Sequence, residues 1–285
     1  MTDVYVGLGV MAVLAAGLFV LGQWLGKKLS RRWAVVVGLV PAAAIAAHLV
    51  VLLDNPRWAW VLPVPNLVVV GDISPLAVAF LAGLAWRHIP PPVVRKLTYI
   101  VPLCVISILV SYWRLLGQPP TCQNAVVEGA TLQSSPATAA PAAAASFLSL
   151  NGIETTEGEM ARRCLTRSWG TTRLGLWRGL KLRTADAPQD VQLVSWTLDE
   201  LRQKPSGPVL LLLDKELDQT GDPRGWSRWG LARTLPAVGV FLGFETDEVV
   251  DVVDPNAGRE QWNIRHLRLA WQGLAYRLVP DEPAE

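Results

Sequence analysis

The sequence predicts two structural regions, an all-α transmembrane segment of four helices in residues 1–116 and an α+β domain in residues 117–285. The first observation is the distribution of charge, because residues 1–116 carry nine basic and three acidic side chains and the remainder carries 17 basic and 21 acidic. The second is that helical patterns precede strand patterns in residues 117–285, an order typical of α+β domains. The net charge of +2, with no long basic stripe, argues against nucleic acid as a partner.

Four apolar segments in the first region favour membrane-spanning helices. A helix needs about 20 apolar residues to cross the hydrocarbon core of a bilayer. Three segments have this length, at residues 4–25, 33–53 and 97–116. The other is clean only over residues 73–86, and it reaches spanning length only when it is extended back to Leu67, which includes Asp72.

Basic side chains between the apolar segments predict the topology. They fall between the first and second segments and between the third and fourth (Lys27, Lys28, Arg31, Arg32; Arg87, Arg95, Lys96). Because positive loops stay in the cytoplasm, four spans keep both loops inside, whereas three spans leave one outside. We therefore expect four spans, with the N-terminus and residues 117–285 outside the cytoplasm. The basic residues after the first segment argue against a cleavable signal peptide.

The helices have two functional interpretations. The simpler one is an anchor formed by a small helix bundle. The alternative is a transport path, for which His48 and Asp72 are the polar candidates within the apolar spans.

Patterns in residues 117–285 predict helices first and strands later. We expect a buried, alanine-rich helix from about Thr138 to Leu150, a second helix opened by a Thr156–Glu159 capping box, and a third over 172–180. Strands are predicted at 209–213, 237–244, 249–253 and 275–279, with a hairpin turn at 245–248. The result is an antiparallel sheet.

Two cysteines, Cys122 and Cys164, fall in this domain. Outside the cytoplasm a structural disulfide between them is plausible, and it would close a loop of roughly 40 residues. The alternative is two unrelated buried thiols.

Five short motifs, in this order and spacing, resemble one protein family. Gln133 is followed six residues later by Ala139-Ala140-Pro141-Ala142-Ala143, and then come Gly170-Thr171-Thr172, Pro236-Ala237-Val238, Asp254-Pro255-Asn256-Ala257-Gly258 and Trp271-Gln272-Gly273. The set is similar to the bacteriocin-processing (double-glycine leader) cysteine peptidases and their membrane-anchored bacterial relatives, within the papain-like superfamily. The resemblance implies a papain-like, cysteine-peptidase-like fold for residues 117–285 and a bacterial inner or plasma membrane.

The departures from the family's motifs bear on chemistry. Family chemistry uses a thiolate, an imidazole that takes its proton and an acid that orients the imidazole. The cysteine position is Ala139 here, and the histidine position is Pro236 or Ala237, depending on register. Gln133, which corresponds to the oxyanion donor, and Asp254, which corresponds to the orienting acid, are retained. We therefore predict a catalytically inactive peptidase-like protein that serves as a binding or structural subunit of a membrane-associated assembly.

The alternative is an active protease of the same family with an engineered or atypical site. The substitute nucleophiles would be Ser134, Ser135 or Thr138, and the substitute base would be His266, the one histidine of the domain. Without a nearby base a hydroxyl is a poor nucleophile. We expect no cofactor and no metal.

A polar segment at 215–235 is the predicted partner contact, because exposed Trp and Arg are favoured at interfaces. Its candidate residues are Arg224, Trp226, Arg228 and Trp229. Alternatively, both Trp pack on the domain or at the membrane surface. The expected partners are the lipid bilayer, other membrane or periplasmic subunits, and an extended peptide in the cleft.

Overall fold

The computed structural model describes residues 1–203, 207–213 and 237–280. The chain divides into two compact units. The first comprises residues 1–58 and 66–116, and the second comprises 59–65 together with the chain from Gly117 onwards.

The first unit is helical. Its helices are α1 (Thr2–Lys28), α2 (Arg31–Ala47, continued by a π-helical turn His48–Leu52), α3 (Trp58–Val61, shared with the second unit), α4 (Leu67–Val70), α5 (Ser74–His88) and α6 (Val93–Tyr112, continued by a 3₁₀ turn Trp113–Leu115). Four stretches are long and apolar enough to cross a membrane: Thr2–Lys28, Arg31–Leu52, Leu67–His88 and Val93–Leu115. Their surfaces expose apolar side chains such as Val40 and Val50.

The burial of the third stretch, Leu67–His88, explains why its apolar pattern in the sequence is weak. Half of its most apolar window is buried inside the unit, against 17% or less for the other three. A helix surrounded by other helices needs less lipid-facing apolar surface, so Asp72 is accommodated in the interior, where it is 5% exposed.

The second unit contains further helices and two sheets. The helices are α7 (Ala139–Leu150, preceded by a 3₁₀ turn Pro136–Thr138), α8 (Glu157–Arg163), α9 (Arg173–Thr184), α10 (Leu198–Gln203) and α11 (Ile264–Ala270). The strands are β1 (Val126–Val127), β2 (Ala130–Thr131), β3 (Gln189–Ser195), β4 (Val209–Leu213), β5 (Ala237–Phe244), β6 (Val249–Asp254), β7 (Gly258–Asn263) and β8 (Trp271–Pro280). The predicted strands are confirmed, whereas β1, β2, β3 and β7 were not predicted.

The larger sheet has the order β3-β8-β4-β5-β6-β7 in the described part of the chain, and every pairing in it is antiparallel. β4 is buried along its whole length because it lies inside the sheet and under a helical layer. Phe241, Trp262 and Trp271 fill the core on one side, packed with aliphatic residues of β4 and β6.

Two indole groups tie the segment 59–65 into the second unit. Trp60 Nε1 donates to the Leu193 carbonyl of β3 at 2.9 Å, and Trp177 Nε1 of α9 donates to the Val64 carbonyl at 3.0 Å. Since β3 is an edge strand, this segment occupies hydrogen-bonding capacity that an edge leaves open.

Candidate functional site

The candidate site is built on the N-terminus of α7. Pro136 opens a 3₁₀ turn, Thr138 is fully buried, and α7 begins at Ala139, close to the predicted start. Ala140 to Leu148 are all buried, because small side chains let the helix pack against both the sheet and its neighbouring helices. Ala139 itself, the predicted cysteine position, is half-buried.

Gln133 and Asp254 belong to segments that the fold brings together. The backbone N–H of Gln133 donates to the carbonyl of Pro255 at 2.7 Å, which fixes the approach to α7 against the turn after β6. The Asp254 carboxylate is 8% exposed, and its Oδ1 accepts the N–H groups of Asn256 at 2.7 Å and Ala257 at 3.3 Å. The acid therefore holds the turn that leads into β7.

Two of the predicted substitute nucleophiles, Ser134 and Thr138, are engaged in local hydrogen bonds, whereas the Ser135 hydroxyl is buried without a hydrogen-bond partner among the described residues. Ser134 Oγ donates to Glu157 Oε2 at 2.5 Å and accepts from the Gln123 N–H at 2.6 Å. Thr138 Oγ1 accepts from the Ser135 N–H at 3.0 Å and donates to the Ser135 carbonyl at 2.9 Å. In the described residues, none of the three hydroxyls is hydrogen-bonded to an imidazole.

Glu157 is a residue of this region that the sequence interpretation missed. It is fully buried in the first turn of α8, and its carboxylate accepts from the Ser134 N–H at 2.6 Å and the Asn124 N–H at 3.2 Å in addition to the Ser134 hydroxyl. The N-cap half of the predicted capping box is confirmed, because Thr156 Oγ1 accepts from the Glu159 N–H, whereas the Glu159 carboxylate bonds to Thr155 and Arg163. The capping pattern in the sequence predicts where the helix starts, but it does not predict that the neighbouring Glu157 carboxylate is buried.

The predicted histidine position, Pro236 or Ala237, falls at the start of β5. Pro236 lies outside the described residues, and Ala237 is the first residue of the strand, paired with Leu213 of β4. β5 packs against α7, so the order of the motifs corresponds to elements that meet. His266, the remaining candidate base, is half-buried in α11, a different element.

The predicted Cys122–Cys164 disulfide is not present, since both residues are free cysteines. Cys122 Cβ lies near Gly158 at the start of α8, whereas Cys164 follows the end of α8 and its Sγ lies against Gly179 of α9. Gly158 and Cys164 are six residues apart along the helix, a rise of about 9 Å. A disulfide usually requires a Cα separation of about 4.4–6.8 Å. Burial raises the pKa of the Cys164 thiol to about 12.

The predicted partner residues Arg224, Trp226, Arg228 and Trp229 lie outside the described residues. Nearer to Gln133, the β1–β2 hairpin exposes two apolar side chains that the sequence interpretation did not single out. Val126 is 61% exposed and Val127 is 50% exposed. In the described part of the chain, no three His, Cys, Asp or Glu side chains are grouped as metal ligands would be.

The second unit thus combines a buried helix, α7, with an antiparallel sheet, as expected for an α+β domain. Structures similar to this chain are peptidase domains of double-glycine protease transporters, the family whose motifs the sequence resembles.

Three solved structures illustrate the similarity. The peptidase domain of Streptococcus ComA, a bifunctional ABC transporter involved in quorum sensing, has 18% identity and a TM-score of 0.41, over 53% of this chain and 96% of that one. A double-glycine motif protease from an AMS/PCAT transporter, in complex with the leader peptide, has 13% identity and a TM-score of 0.40, over 58% and 95%. The peptidase domain of Streptococcus mutans ComA has 17% identity and a TM-score of 0.35, over 52% and 97%. No protein-family model and no curated protein matches the chain.

Proposed function

We propose that the second unit is a catalytically inactive peptidase-like module that binds an extended peptide without cleaving it, and that the four apolar helices anchor it in a membrane. The observation that carries the proposal is Ala139 at the first position of α7. A methyl group cannot attack a carbonyl, and the histidine position is Pro236 or Ala237, neither of which accepts a proton.

The surrounding polar groups support an inactive site. The Ser134 hydroxyl is committed to Glu157, and the Thr138 hydroxyl is committed to the Ser135 backbone. The Asp254 carboxylate bonds to its own turn. A hydroxyl in these surroundings lacks the base that would raise its nucleophilicity.

Exposed apolar surface beside the motif residues supports peptide binding. The chain runs directly from the β1–β2 hairpin, with Val126 and Val127 exposed, into Gln133 and then α7. Gln133 is half-buried and its backbone position is fixed by Pro255. A rigid polar group next to exposed aliphatic side chains suits an extended peptide, which needs both main-chain and side-chain partners.

The placement of the second unit outside the cytoplasm remains part of the proposal. Residues 59–65 and the chain from Gly117 onwards belong to one compact unit. The chain between them must return to the same side of a membrane, which two crossings by Leu67–His88 and Val93–Leu115 accomplish. The basic clusters, which favour the cytoplasm, support the opposite side for the second unit. We also propose that the protein is a subunit of a larger membrane or periplasmic assembly. This part rests on composition alone, and the proposed contact residues are Arg224, Trp226, Arg228 and Trp229.

Fluorescence anisotropy with a labelled peptide that contains a double-glycine leader tests binding on the full chain in detergent. Ala139→Phe adds bulk at the half-buried start of α7, and we expect it to weaken binding at least tenfold. Ala185→Phe adds the same bulk at the exposed end of α9 and should leave binding unchanged. Equal binding by both variants, or no binding by the unmodified protein, contradicts the proposal.

A further inference from the structure

The basic side chains of the first unit gather at one end of its helices. A Cβ atom at Gly7 of α1 would lie 3.3 Å from Val69 Cβ, and one at Gly26 would lie 3.3 Å from Arg87 Cβ, so α1 and the stretch Leu67–His88 run side by side in the same direction. α2 and α6 begin within a few residues of the ends of α1 and α5. These four helix ends, which we call the basic end, carry all nine basic side chains of residues 1–116 except Arg57 and Arg114.

The acidic side chains of the first unit lie at the opposite end. Asp3 lies in the first turn of α1, Asp54 follows the π-helical turn after α2, and Asp72 precedes α5. The ion pair between Arg114 and Asp54 is at that opposite end too. The cations of the basic end therefore have no acidic partner among the described residues of the first unit, and an anion from outside the chain complements their charge.

The helix dipole explains only some of these cations. Lys28 and Arg87 lie in the last turns of α1 and α5, where a positive charge is favourable. Arg31, Arg32 and Arg95 lie in the first turns of α2 and α6, where the dipole opposes a positive charge. An anion beside these first turns interacts favourably with both the helix N-termini and the cations.

Aromatic rings lie beside two of the cations. Lys28 Nζ is 3.8 Å from the centre of the Trp24 ring, and Lys96 Nζ is 5.4 Å from the centre of the Trp86 ring. Trp24 is 50% exposed, and Trp86 packs edge-on against Phe19 with the ring centres 6.0 Å apart. Trp is favoured where headgroups meet acyl chains. The basic end thus combines positive charge with apolar surface, as an amphipathic anion requires.

We propose that the basic end binds the phosphate headgroup of an anionic membrane phospholipid, with Lys28, Arg87 and Lys96 as the contacts. The three cations come from α1, α5 and α6. Arg87 joins the other two, because its Cβ lies beside Gly26 of α1 and it follows Trp86, over which Lys96 lies. Basic pockets between membrane helices suit such headgroups. The proposal rests on the membrane anchoring in the proposed function and adds the class of lipid that the anchor recognises.

Native mass spectrometry of the full chain tests this site. The protein is released from detergent in the presence of equal amounts of phosphatidylglycerol, which is anionic, and phosphatidylcholine, which has no net charge. Because each basic side chain near the headgroups contributes to anion binding, we expect phosphatidylglycerol to be retained at least about fivefold more. In the triple variant Lys28→Gln/Arg87→Gln/Lys96→Gln this preference should be lost.

The matched control is Arg57→Gln/Arg265→Gln/Arg268→Gln, which removes the same charge from exposed positions outside the basic end and should keep the preference. Equal retention of the two lipids by the unmodified protein overturns the proposal, whether or not the first variant folds. Equal loss in both triple variants overturns it too, as does displacement of the lipid by inorganic phosphate. Release of the protein from membranes by alkaline carbonate would instead contradict the membrane anchoring itself.

Discussion

At the scale of single residues, two free cysteines lie near opposite ends of α8. Two cysteines about 40 residues apart in an extracytoplasmic domain are compatible with a disulfide, but the spacing says nothing about the elements on which they lie. Cys122 lies near the start of α8 and Cys164 follows its end. The helix between them keeps the thiols apart.

Replacing Cys122 with Ser should therefore have little effect on stability. We expect a change in the unfolding free energy below about 1 kcal/mol, since no covalent link is lost. Breaking a disulfide across this loop would cost about 3–4 kcal/mol. Denaturant unfolding with and without a reducing agent distinguishes the two, and a large loss, or a shift caused by the reducing agent alone, contradicts the free thiols.

The Cys164 thiol should resist alkylation in the folded protein. Burial raises its pKa from 9.0 to about 12, so the reactive thiolate is scarce at neutral pH. The unfolded chain ionises first, so the stability associated with this thiol is present below pH 9 and is lost as the pH rises towards 12. Mass spectrometry after iodoacetamide treatment should show Cys164 modified only after denaturation; rapid modification of the native protein contradicts its burial.

At the scale of elements, Glu157 joins α8 to the chain that leads into α7. Its carboxylate accepts hydrogen bonds from the Ser134 N–H, the Ser134 hydroxyl and the Asn124 N–H. Ser134 and Asn124 lie outside helices and strands, whereas Glu157 lies in α8. Glu157→Gln keeps the shape but removes the charge, so we expect a loss of about 1.5–3 kcal/mol. Glu154→Gln, at an exposed position, should change stability by less than about 0.5 kcal/mol. Thermal unfolding of both variants measures the difference, and equal stability contradicts the role of Glu157.

The contact between α1 and α5 depends on glycine. A Cβ atom at Gly83 would lie 2.1 Å from the Phe19 carbonyl oxygen, so any side chain there must separate the helices. Gly83→Ala should destabilise the protein in detergent by about 1–3 kcal/mol. Gly17→Ala is the control on α1, because its Cβ would meet nothing within 4 Å. If both substitutions give the same melting temperature, the helices are not packed this closely.

At the scale of the whole molecule, long periodic patterns were predictable and edge strands were not. The apolar spans, α7 and the β5–β6 hairpin follow from hydrophobicity and turn residues. β3 and β7 are the edges of the sheet, and their apolar residues are few and separated by exposed polar ones such as Gln192 and Gln261, so neither strand has a strong hydrophobic signal. Motif order predicted the candidate site, but the Gln133–Pro255 bond and the burial of Glu157 are tertiary features with no local signal.

The topology of the chain is testable by cysteine labelling in intact cells. In a background without the three native cysteines, Asp186→Cys lies on an exposed position after α9 and Ser30→Cys lies in the basic loop between α1 and α2. A membrane-impermeant maleimide should label Asp186→Cys in intact cells and Ser30→Cys only after permeabilisation. The reverse pattern places the second unit in the cytoplasm.

The claim that the second unit is catalytically inactive is tested most directly by mass spectrometry. A double-glycine leader peptide is incubated with the purified full-length protein, and its mass is then measured. The absence of a thiol at Ala139 and of an imidazole at Pro236 or Ala237 predicts that the peptide keeps its intact mass while it co-elutes with the protein. Cleavage after the glycine pair that disappears in Gln133→Ala would contradict an inactive site.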